Sequence, residues 1–157
     1  MIRKVGTLTL VAFLGAGAAF AGSLFVPWFL DNGSTGTLGI PTVPGTASAF
    51  ITITNTTASP ITCTIFYHLP TGEDVTPASN TFTLQAYSAV SFRPAVDDSG
   101  AGGTEGPASI LVPNMASGNK GSARMTWSGG TAKDIQGRVA QILSGGHALA
   151  YLLPEGF

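Results

Sequence analysis

Cysteine is almost missing from this chain: Cys63 is the single one in 157 residues. One thiol excludes a disulfide framework within the chain and any metal site built from several cysteines. Charge is scarce as well. Asp, Glu, Lys and Arg make up 10% of the residues, against about a quarter in an ordinary globular domain. The signs nearly balance, seven basic against eight acidic. With no basic stripe to neutralise phosphates, nucleic acid is not expected as a partner. There is no Gly-x-Ser-x-Gly elbow, His-Glu-x-x-His helix, Cys-x-x-Cys pair or phosphate loop. The two histidines, His68 and His147, lie far apart in sequence. No catalytic residue is assigned, and the chain is not expected to be an enzyme. Helical periodicity is nearly absent too.

What is present is apolar and small. Hydrophobic residues account for 44%, with 21 glycines and 10 prolines, and the mean hydropathy is +0.33. Part of this sits at the start. Arg3 and Lys4 precede an uncharged run from Val5 to Phe20, and Ala19-Phe20-Ala21 has the small-x-small pattern of a cleavage site. That is the layout of a secretory signal, a helix over residues 1–21, with export from a bacterial cell expected. The run is shorter than the roughly 20 residues a membrane-spanning helix needs, so no span is expected after processing. Removing Arg3 and Lys4 leaves five basic residues against eight acidic ones, a net charge of −3. The remaining 136 residues suffice for one domain with a core.

That remainder reads as strands. Ala47 to Asn55 alternates Ala49, Ile51 and Ile53 with Phe50, Thr52 and Thr54. Ile61 to Leu69 alternates Ile61, Cys63, Ile65 and Tyr67 with Thr62, Thr64, Phe66 and His68. Period-two alternation of β-branched and aromatic residues between turn-forming residues is the signature of half-buried strands. Further strands are expected at Thr81–Gln85, Ala89–Arg93, Ser109–Val112, Gly121–Ser128, Ile135–Leu143 and Ala148–Leu153. Gly-Gly corners at 129–130 and 145–146 suggest a three-stranded C-terminal meander, because glycine accepts the positive φ of tight hairpins. Seven or eight short strands at about ten-residue spacing fit an all-β, immunoglobulin-like antiparallel sandwich, with a jelly roll as the alternative. The layout is therefore a signal over 1–21, an apolar strand and linker over 22–46, and a sandwich over 47–157.

The apolar strand is the unusual part. Leu24, Val26, Trp28 and Leu30 alternate with Phe25 and Phe29, leaving neither face polar, and a Gly/Thr-rich linker from Asp31 to Pro44 follows. A free strand of this kind would aggregate, so it must be covered. It can be the first strand of its own sandwich, with Pro27 at an edge or a bulge. It can instead add to the sheet of a neighbouring subunit, the linker giving the reach. The signal, this strand, its linker and the low-charge, Thr-rich sandwich resemble secreted bacterial fibre subunits joined by donor strands. The chain departs from the chaperone-assisted members in lacking a cysteine pair and a penultimate tyrosine. The resemblance implies a cell-surface or filament subunit that associates with itself through Leu24, Phe25, Val26, Trp28, Phe29 and Leu30. The alternative is a monomeric module binding carbohydrate or another envelope protein, with Trp28, Trp127, Tyr67, Tyr87 and Tyr151 available as stacking surfaces.

Three smaller features complete the reading. Asp97, Asp98 and Glu105 lie in a Gly-rich stretch that could offer oxygens to calcium; no other cofactor is suggested. Asp31-Asn32-Gly33 reads as an ordinary turn. Asn32 and Asn55 head Asn-x-Ser/Thr triplets, the N-glycosylation pattern.

Overall fold

A computed structural model describes residues 20–33, 40–95 and 110–154. The expected signal helix, the calcium candidates Asp97, Asp98 and Glu105, and part of the linker lie outside the described residues. The described residues form eight strands: β1 (Phe20–Leu30), β2 (Ala47–Asn55), β3 (Ile61–His68), β4 (Thr81–Leu84), β5 (Ala89–Phe92), β6 (Lys120–Ser128), β7 (Ile135–Leu143) and β8 (Ala148–Leu152). They form two four-stranded antiparallel sheets, ordered β1-β6-β3-β4 and β5-β2-β7-β8. The β-sandwich expected from the alternation is thus the observed architecture.

The inward faces are the ones the alternation marks. Ile61, Cys63, Ile65 and Tyr67 of β3, Ala49, Ile51 and Ile53 of β2, and Ala123, Met125 and Trp127 of β6 are all buried in one core. Cys63 behaves as a small core hydrophobe, and burial pushes its thiol up to about 12. Tyr67 is fully buried and keeps its polar end satisfied by donating from its hydroxyl to the Pro113 carbonyl at 2.8 Å. Burial, and then the charge of Asp31, push that phenol up.

Two expectations are corrected. The C-terminal third is not a meander, because β6 already has β1 on one side and β3 on the other. The chain leaving β6 must therefore cross to the second sheet. Residues 129–134 form that crossing, tied by the Thr131 N–H and hydroxyl donating to the Asp134 carboxylate at 2.7 Å each. The 145–146 glycines, by contrast, do turn the β7–β8 hairpin, both at positive φ. The second correction concerns Ser109–Val112. Residues 110–119 contain no strand; Val112 and Met115 are instead buried in the core from an irregular segment. Pro113, which has no N–H to give a ladder, sits in the middle of that segment.

Candidate functional site

The N-terminal strand is an edge of its own chain's sheet, running antiparallel to β6 with Leu24 opposite Met125, Phe25 opposite Arg124 and Val26 opposite Ala123. The register slips between Val26 and Phe29. Pro27 cannot donate to a ladder, and a bulge on an edge strand is where such a residue fits. The slip changes which side chains face inward. Strict alternation puts Trp28 with Leu24 and Val26; the bulge puts Phe29 there instead. Leu24, Val26 and Phe29 are buried, Leu30 is half-buried, and Phe25 and Trp28 stand out at 41% and 45% exposure. Phe29 meets the buried Tyr67 ring edge-on, centroids 6.3 Å apart.

The end of this strand is locked from the second sheet. Asp31 and Arg93 form a buried ion pair, so the Asp31-Asn32-Gly33 segment is not the ordinary turn its sequence suggests. The Asp31 carboxylate accepts from both Arg93 Nε (2.9 Å) and its terminal nitrogen, and from the backbone N–H groups of Ala49 (3.3 Å) and Ala95 (3.0 Å). Arg93 also donates to the Gly33 carbonyl at 2.7 Å and lies over the Phe50 ring. Burial pushes the Asp31 carboxyl up, opposed by the Arg93 charge and by these hydrogen bonds. One sequence signal is available here: Arg93 is the only Lys or Arg between Lys4 and Lys120, immediately after a strand.

The free side of β1 is partly closed as well. The Phe25 N–H donates to the Pro154 carbonyl at 3.3 Å, and the Tyr151 hydroxyl to the Trp28 carbonyl at 2.7 Å. Above the bulge, Pro27, Trp28, His68, Leu69, Pro70 and Gly121 line an open groove of about 350 Å³. Its floor requires glycine, because a Cβ on Gly121 would collide with the His68 carbonyl oxygen.

The other candidates are dispersed. Of the five stacking aromatics, Tyr67 and Trp127 are core, while Trp28, Tyr87 and Tyr151 are exposed. Tyr87 sits at φ 54° in the turn before β5. His68 ends β3, bridged to Asp74; His147 lies in the exposed hairpin corner of the opposite sheet. Asn55 is buried, its amide donating to the Ser59, Leu84 and Gln85 carbonyls, so in the folded chain it is a loop anchor and not a glycan acceptor. Among the described residues no group of three or more His, Cys, Asp or Glu could hold a metal, and no helix is long and apolar enough to cross a membrane.

By its alternation β8 is an ordinary last strand. It is exposed at every position, with Leu149 at 65% and Leu152 at 82%. An uncharged stretch was the available signal: from Val139 to Pro154 there is no Asp, Glu, Lys or Arg. Comparison with known proteins adds little to these features. No protein-family model and no curated protein matches the chain. Among solved structures it is similar to Thermotoga maritima 1070, at 15% identity and a TM-score of 0.49, over 88% of this chain and 95% of that one.

Proposed function

We propose that this chain is an exported, non-catalytic structural protein of the cell exterior that associates with copies of itself through a sheet edge. The observation that carries the reading is β8, an apolar strand exposed at every position and, among the described residues, paired along one edge only. Folded proteins normally blunt such edges with charge, proline, bulges or shortness; β1 has the proline and the bulge, and β4 and β5 are four residues each. A surface wetted by Thr, Ser and Gly supports the reading, since it packs against a copy without stripping water from charges. With Leu24, Val26 and Phe29 already filling their own core, association falls to the other edge of that corner. Sedimentation velocity over a wide concentration range tests it: the purified chain is expected to shift from monomer to a discrete larger species. A single monomer boundary at millimolar protein would end this reading. A second reading, a module binding an envelope carbohydrate or protein, is favoured by one feature, the Trp28 groove, and would then be the one to pursue.

A further inference from the structure

The hydrogen-bonding pattern of β8 defines the partner more narrowly. In an antiparallel ladder the residues of a strand point their backbone groups alternately toward and away from the neighbour. The Leu153 N–H donates to the Gly137 carbonyl at 2.9 Å, and the Leu143 N–H to the His147 carbonyl at 2.8 Å. With the register Val139 opposite Tyr151 and Gln141 opposite Leu149, the odd-numbered residues of β8 face β7. Ala148, Ala150 and Leu152 therefore direct their N–H and C=O groups outward, along the edge that no described strand pairs. The edge is bounded at both ends. Pro154, next in the outward series, has no N–H and spends its carbonyl on Phe25; Gly146, before it, is turned into the hairpin, donating to Leu143.

Resting on the self-association reading above, we infer that β8 pairs antiparallel with β8 of a second copy about a twofold axis through Ala150. An outward set of three residues centred on Ala150 is self-complementary in that one register. Ala150 exchanges both bonds with its counterpart, and Ala148 exchanges both with the other copy's residue 152, so no outward group is left over. The side chains agree. On one face the small Ala148 lies opposite the large Leu152 of the other copy; on the other face Leu149 lies opposite Tyr151. Charge points to a second copy too. Both chains are net negative, yet the uncharged segment from Val139 to Pro154 lets them meet here without like charges opposed. The result is a continuous eight-stranded sheet and a closed, isologous dimer. A five-residue strand pair buries less than the roughly 1,200–2,000 Å² of a standard stable interface, so the dimer depends on concentration.

The test uses three single variants of the full chain. Ala150→Pro removes only an outward N–H, which an edge strand tolerates, so it should keep the wild-type melting curve and sediment as monomer where wild type is dimeric. Leu152→Lys should do the same by placing two charges against the pair. Ala150→Cys should oxidise to a covalent dimer, because directly opposed residues of a hydrogen-bonded pair have Cα atoms about 5.5 Å apart, within disulfide reach; Cys63 is buried and does not compete. Association that persists unchanged in folded Ala150→Pro and Leu152→Lys overturns the β8 pairing while leaving self-association standing. Wild type that stays monomeric at all concentrations overturns both.

Discussion

Replacing Asp31 with alanine is expected to lower the urea-unfolding free energy by about 3–5 kcal/mol, the usual cost of leaving one partner of a buried ion pair alone. Arg93 is 5% exposed and would keep its charge while losing the Asp31 carboxylate. The loss has a second source, since the Ala49 and Ala95 N–H groups also lose their acceptor. An Arg93→Leu change made in addition to Asp31→Ala should recover part of it, because the guanidinium and carboxylate interact directly and groups in contact are not additive, so the double variant costs less than the two single changes added together. Arg93 and Asp31 together tie the end of β1 to the start of β2 and the end of β5. If the double variant instead equals the sum, the two residues act independently, and the lock between the sheets is not what holds that corner.

Phe29→Ala should be comparably damaging, about 3–5 kcal/mol for a fully buried aromatic, whereas Trp28→Ala should change stability by roughly 0.5 kcal/mol or less, as surface substitutions do. The contrast between these two neighbours is the useful quantity. Phe29 has no exposed surface and packs edge-on against Tyr67; Trp28 is 45% exposed beside the groove. Strict alternation along Leu24 to Leu30 would predict the reverse order, with Trp28 inside. Only the bulge at Pro27 makes Phe29 the core residue. Unfolding both variants in urea and finding Trp28→Ala the more costly would place the bulge elsewhere.

These positions show how far sequence carries. The strands of the sandwich were legible because β2, β3 and β6 alternate cleanly, and each buries the face its pattern marks. Their partners were not. A Gly-Gly corner looks the same whether the chain turns back, as at 145–146, or crosses between sheets, as at 129–134; what decides is that β6 already has two neighbours. The inward face of β1 was misread beyond Val26 because one extra residue in a bulge reverses every later side chain. Asp31 looked like a turn residue because its partner lies 62 positions away, and no local pattern announces a pair at that distance. The openness of β8 was hidden for a similar reason: a strand of Ala, Leu and Tyr reads as core until the opposite sheet fails to cover it.

The N-terminal strand completes the sandwich of its own chain, so the proposed self-association falls to another edge. Phe25 and Arg124 lie directly opposite each other on β1 and β6. They form a non-hydrogen-bonded pair, since the Phe25 N–H points away toward Pro154, and the Cα atoms of such pairs are about 4.5 Å apart. Replacing both with cysteine and oxidising the protein across a wide concentration range asks directly which chain β1 belongs to. The expected result on a non-reducing gel is a fast-migrating, internally bridged monomer. A ladder of covalent multimers would show that β1 is donated to a neighbour and would contradict the account.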